Sequence, residues 1–208
     1  GRGSKNELAS GATLVPRSRR AAKVMSRLLT NLAIVRQRIA DAARRSGRSP
    51  EDITLVGVTK YVGNDVIADL IAAGCLDLGE SRPQAVWAKP SAINQRIGQE
   101  AVQSRVVRWH LVGHLQRNKV EQTLPLVSLI HSADSLRLLR AINEAAAGQG
   151  RHVDALIEVN VSGDAAKHGL APAEVAPALP TLAELDHVHV RGLMCMAARD
   201  GDDDIARR

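Results

Sequence analysis

From residue 22 onward, short apolar runs alternate with single helix-patterned segments, and this alternation restricts the chain to folds assembled from repeated βαβ units. The runs over 53–59, 75–79, 106–112, 126–131, 153–161 and 188–194 are predicted strands. Between them, 65–73, 82–89, 135–147 and 173–185 are predicted helices, with a short one over 118–124. A long amphipathic helix over 22–46, with Leu28, Leu29, Leu32, Val35, Ile39 and Ala43 at helical spacing, precedes them and stops at Gly47. The first run, Ile53-Thr54-Leu55-Val56-Gly57-Val58-Thr59, is apolar almost throughout, as in a parallel strand covered on both sides. Single helices between strands make the sheet parallel and its crossovers right-handed.

A doubly wound sheet and a (β/α)8 barrel both meet these conditions. No glycine-rich dinucleotide or Walker-type loop follows any predicted strand, so the expected fold is α/β, a (β/α)8 TIM-barrel-like domain. The 208 residues suit one sizeable core. Six strands are predicted where such a barrel has about eight, and a helix pattern opens over 202–208. The expectation is therefore a domain over 22–208 whose C-terminal part lies beyond this sequence. Residues 1–21 are set apart as a leader or a tag, because Leu14-Val15-Pro16-Arg17-Ser18 looks like a protease-cleavable linker.

With 1% aromatic residues and no Phe, the core must be aliphatic. The formal charge of +6 is concentrated near the start, where Arg36, Arg38, Arg44, Arg45 and Arg48 follow an already basic stretch. Acidic Asp41 and the apolar positions interrupt these arginines, and no aromatic residue stands there for base stacking, so a solvated helix face is expected and no nucleic-acid partner. Cys75 and Cys195 match no ligand or redox spacing and are expected as reduced thiols of a cytoplasmic protein with no membrane association.

Polar and glycine-bearing clusters recur at the C-terminal ends of the predicted strands. Lys60 follows the first; Gly79-Glu80-Ser81-Arg82 ends the second; His110 to Lys119 ends the third; Asn160-Val161-Ser162 and Lys167-His168-Gly169 follow the fifth. In a parallel barrel those ends meet at one mouth, where such proteins keep their reactive groups. A lysine sheltered there is partly desolvated, which favours the free amine that condenses with aldehydes. Taken alone, a lysine ending a strand also fits a solvated terminus.

Together these blocks resemble the pyridoxal phosphate homeostasis protein family, from about Leu28 to Arg208. The resemblance is carried by Gly-Arg-Ser-Pro-Glu-Asp before the first strand, Val58-Thr59-Lys60, the long Trp109-His110-Leu111-Val112-Gly113-His114-Leu115-Gln116-Arg117-Asn118-Lys119 block, Asn160-Val161-Ser162 with Lys167-His168-Gly169, and Arg191-Gly192-Leu193-Met194. It implies an alanine racemase N-terminal-domain type of barrel and pyridoxal 5'-phosphate as cofactor, held as an internal aldimine on Lys60. His110, Ser81 and Met194 would line the ring pocket and Asn160 would lie at the mouth. It further implies a non-catalytic carrier in cofactor and amino-acid homeostasis, a monomer whose partners are the cofactor and pyridoxal-phosphate-dependent apoenzymes. Two departures stand out. Ser81 occupies the place of the family's Asn, and the family's phosphate-binding Ser-Met-Gly-Met-Ser and Arg-x-Gly segments would fall after Arg208.

Other readings of the same residues are less demanding. His110 and His114 have a His-x-x-x-His spacing, but Leu111 stands where a zinc-protease helix carries Glu, so no metal site is expected. His187 and His189 fit a solvated or packed pair, Met194-Cys195-Met196 an apolar strand end, and Tyr61 a ring packed beside the mouth. An amino-acid racemase or decarboxylase using the same cofactor, and a basic RNA-binding adaptor, are the alternative functions.

Overall fold

The computed structural model describes residues 19–97, 107–164 and 166–196. Helix α1 (Arg19–Arg45) leads into β1 (Val56–Val58), α2 (Asn64–Ala72), β2 (Asp77–Glu80), α3 (Pro83–Ile97) and β3 (Arg108–Leu111). Then follow α4 (Val120–Thr123), β4 (Leu129–Ala133), α5 (Leu136–Gly148), β5 (Val153–Glu158), α6 (Pro172–Ala183) and β6 (Val188–Met194). Residues 1–18 of the expected leader and the expected helix over 202–208 lie outside the described residues. No described helix is long and apolar enough to cross a membrane.

All six strands pair in parallel in the order β1-β2-β3-β4-β5-β6. A doubly wound sheet reverses its strand order at a switch point. This sheet does not, so its order is that of a barrel wall, with β1 and β6 as its edges among the described residues.

The face towards the helices is dry and largely aliphatic. Leu32 of α1, Ile67 and Ile71 of α2 and Ile93 of α3 pack on Leu78 and Trp109. Leu138, Leu139 and Ile142 of α5 and Leu182 of α6 pack on Ile130, Ala155 and Ile157. Each fully buried Leu or Ile contributes about 1.5–3 kcal/mol relative to exposure. Trp109, 7% exposed, is the aromatic exception to the expected aliphatic core.

Several boundaries differ from the sequence expectation, each for a local reason. The strand expected over 53–59 is ordered into the sheet only at Val56–Val58, because Ile53 still belongs to the end of the Pro50–Asp52 3-10 turn. The strand expected over 75–79 starts later, since the Cys75 N–H closes the end of α2 by donating to Leu70 O at 2.9 Å. The strand expected over 126–131 is displaced to Leu129–Ala133 by a 3-10 turn over Leu124–Leu126. Helix α3 runs through Pro90, where the pattern predicted a stop at Lys89. Val86 and Ile93, buried on either side of Pro90, hold the helix against the sheet and outweigh the missing backbone donor. On α1 most arginines are exposed, but Arg36 reaches back to cap α2, donating to Ala73 O at 3.3 Å and Gly74 O at 2.9 Å.

One buried cluster joins β1, β2 and α3. The Glu80 side chain, 1% exposed, accepts from Thr59 Oγ1 and from Lys89 Nζ, each at 2.5 Å, and Lys89 Nζ also donates to Thr59 O at 2.8 Å. Deleting the carboxylate would leave a largely buried ammonium without its counter-charge. Glu80→Ala is expected to destabilise the protein by about 3–5 kcal/mol, measured as a lower urea midpoint at unchanged slope. A change within about 0.5 kcal/mol of wild type would mean that the cluster is not structural.

Candidate functional site

Alternation along the strands turns a second set of side chains away from the helices. In β2, Leu78 and Glu80 meet the helix layer, so Asp77 and Gly79 lie on the opposite, inner face. A Cβ on Gly79 would meet Val56, Val58 and Val112 at 3.1–3.4 Å, which puts those residues on the same face.

Lower on this face runs a chain of polar groups. Arg108 Nε and Nη2 donate to the two Asp77 oxygens at 2.6 and 2.5 Å. His110 Nε2 lies 3.0 Å from Asp77 Oδ1, and His110 Nδ1 lies 2.9 Å from His131 Nε2. A carboxylate only accepts, so His110 Nε2 carries the proton it donates to Asp77. Burial pushes the Asp77 carboxyl up, but the hydrogen bonds and charges of Arg108 and His110 more than reverse this and hold it below the usual range. Burial, reinforced by His110, lowers His131 to about 4.

Of the expected site residues, Lys60, Ser81, Asn160 and Met194 stand at or just past the C-terminal ends of strands, and His110 lies within one. Thr59 N–H donates to Gly79 O at 2.8 Å, extending the β1 ladder by one residue, and Lys60 follows it with the inner-face parity of Val56 and Val58. Lys60 is exposed rather than sheltered as expected. Its Nζ lies 5.0 Å from the centroid of the Tyr61 ring, which is 89% exposed and does not pack beside the mouth. Ser81, half-buried, follows β2 and abuts Gly113: a Cβ at Gly113 would fall 2.3 Å from Ser81 O. Gly113 O in turn accepts from Ser132 Oγ at 2.6 Å. His110 is buried within β3, with both ring nitrogens engaged as described. Met194, half-buried, ends β6 in register with Glu158.

Asn160 lies two residues beyond β5, and its side chain is committed to its own loop. It donates to Asp164 O at 2.8 Å and Lys167 O at 3.4 Å and accepts from Ser162 Oγ at 2.8 Å. The loop returns so closely that a Cβ at Gly169 (φ 109°) would meet Asn160 N and Glu158 O at 2.9 Å. Asn160 therefore holds together the loop that follows β5.

His110 and His114 do not converge. His114 points to Asp134, with Nδ1 2.9 Å from Oδ2, and stacks on His168 with ring centroids 4.4 Å apart. Glu158 stands nearby, its carboxyl raised by burial and then by the charge of Asp134. Asp77, His131 and Asp134 were not singled out from the sequence. The available signal was a lone carboxylate or imidazole within or just after an apolar run.

Residues 30–207 match the family described as alanine racemase, N-terminal domain. The pyridoxal phosphate homeostasis protein of Escherichia coli (strain K12) is 33% identical over 178 residues, covering 86% of this chain and 74% of that protein. A crystal structure of an unknown protein from Bifidobacterium adolescentis superposes with a TM-score of 0.80 at 32% identity, over 94% of this chain and 78% of that one. PipY of Synechococcus elongatus, with PLP bound, gives a TM-score of 0.65 at 30% identity, over 81% and 74% of the two chains.

Two measurements probe this geometry. As pH falls from 6.5 towards about 4, the unfolded chain takes up a proton at His131 that the folded protein does not, so stability is lost across that window and the loss levels off below it. His131→Asn is expected to flatten that slope in urea denaturations run from pH 7 to 4; an unchanged slope would remove His131 as its source. Gly113→Ala forces the rim apart and is expected to destabilise by about 1–3 kcal/mol, read by the same denaturation at pH 7.

Proposed function

The chain belongs to the alanine racemase N-terminal domain family and, within it, to the pyridoxal phosphate homeostasis proteins, and we propose that it binds pyridoxal 5'-phosphate through Lys60 and holds it reversibly as a carrier. The observation that carries this reading is the position of Lys60. It stands one residue beyond the buried Thr59, on the inner side of the rim, with its backbone tied through Thr59 to β2 and α3. Among the described residues its ammonium faces only the Tyr61 ring and no carboxylate, so no ion pair has to break before the amine reacts.

The cofactor supplies an aldehyde that condenses reversibly with a free amine. The residues at the other strand ends would suit it. Ser81 stands just after β2, the strand next to β1, His110 offers a ring held in place by Asp77 and His131, Met194 would add a half-buried apolar wall, and Asn160 would set the loop that borders the opening. An enzyme acting on amino acids through this cofactor needs a second acid-base group on its opposite face. His110, engaged on both nitrogens, is not free for that work, which favours holding the cofactor over turning it over. The name of the Escherichia coli relative and the PLP bound to PipY support the same assignment. In this reading the protein works in the cytoplasm and passes the cofactor to pyridoxal-phosphate-dependent apoenzymes.

Mixing the protein with pyridoxal phosphate is expected to give a visible absorption band that borohydride abolishes, and peptide mass mapping should then find the reduced adduct on Lys60. Lys60→Ala should give neither band nor adduct. An adduct mapped to Lys89 or Lys119 instead would sink the assignment.

A further inference from the structure

Three side chains from three successive strand ends meet on the rim: His114 from the loop after β3, Asp134 directly after β4, and His168 from the loop after β5. Their nearest ligand atoms all lie within 4.8 Å of one another. We propose that His114, Asp134 and His168 form a binding site for a divalent transition-metal ion of the zinc type, independent of the cofactor on Lys60.

Distance supports this. His114 Nδ1 and His168 Nδ1 lie 2.9 and 3.8 Å from the same Asp134 oxygen, Oδ2. Nitrogen and oxygen ligands at about 2.0–2.1 Å from tetrahedral zinc stand about 3.3–3.4 Å apart, so the two separations bracket the required edge. The carboxylate is oriented for it, while the two stacked imidazoles, with ring centroids 4.4 Å apart, require the exposed His168 ring to turn out of the stack to bring its Nδ1 lone pair onto the same ion. Asp134 Oδ1 accepts from Ser135 Oγ at 3.0 Å, which turns Oδ2 towards the imidazoles. Ser135 caps α5, accepting from Leu138 N–H at 3.3 Å, so the carboxylate is anchored at the start of a 13-residue helix. His168 is delivered by the loop that Asn160 ties together through Asp164 O and Lys167 O.

The donor set selects the ion. Two imidazoles and one carboxylate suit zinc, nickel or cobalt, whereas magnesium and calcium prefer oxygen ligands throughout. The Asp134 side chain is 10% exposed, but those of His114 and His168 are 43% and 60% exposed. A fourth coordination position is thus open to water or a small ligand, as in zinc sites that are not purely structural.

The test is a zinc titration of the full chain against a chromophoric chelator. One equivalent is expected to bind, undisturbed by magnesium at the same concentration. Affinity should fall at least about tenfold in His168→Ala and in Asp134→Asn, while His189→Ala, which removes a histidine paired with Asp154 elsewhere on the sheet, should bind as wild type does. Far-ultraviolet circular dichroism of His168→Ala, an exposed loop variant, should match wild type. Lys60→Ala should keep full zinc affinity, which separates this site from any metal held by the cofactor adduct. No bound zinc, binding indifferent to His168→Ala and Asp134→Asn, or binding lost in Lys60→Ala would each overturn the proposal.

Discussion

The geometry of the rim depends on one buried ion pair, Glu80 with Lys89, and on the strand end it holds. β1 contributes only three residues to the sheet and, among the described residues, pairs with β2 alone, too little to fix its own exit. Thr59, fully buried, supplies the missing constraint: its hydroxyl donates to Glu80 and its carbonyl accepts from Lys89. Strand β2, helix α3 and the residue preceding Lys60 are therefore locked together by one set of charge-assisted bonds. A buried ion pair is seldom more stabilising than a well-packed apolar substitute. What this one adds is direction, since its bonds specify where the chain must leave the strand.

The sheet divides the molecule into two chemically different sides. Towards the helices, apart from Trp109 and the ion pair of Glu80 with Lys89, the side chains are aliphatic and dry, and their packing supplies the bulk of the stability. On the inner face Arg108, Asp77, His110 and His131 form a continuous hydrogen-bonded chain instead. Such a network keeps its geometry only while every member is satisfied. It fixes His110 beneath the rim at the expense of both ring nitrogens, while Gly113, pressed between Ser81 and Ser132, sets how closely β2 and β3 end together. The rim thus rests on polar bonds below and a glycine contact beside it.

Lys60, Ser81, Asn160 and Met194 were legible because each stands at or just past the end of an apolar run, and chain punctuation is a local property. Their environments were less so. Lys60 is open to solvent, and Asn160 is taken up by its own loop, neither of which strand periodicity encodes. Asp77 and Asp134 are not legible in the sequence, because a single carboxylate near a strand acquires meaning only from what faces it. His110 is the near neighbour of His114 in sequence, whereas the companions of His114 in space come from the ends of β4 and β5.

By itself, then, the sequence determined the βαβ repeat, the parallel sheet and the strand ends on which polar residues cluster, since hydrophobic period and breakers act over a few residues. Only the tertiary structure decided the strand order that separates a barrel wall from a doubly wound sheet, and the partners of each histidine and carboxylate. Those depend on register between segments far apart in the chain. A shift of one residue in a strand would send the same side chains to the opposite face.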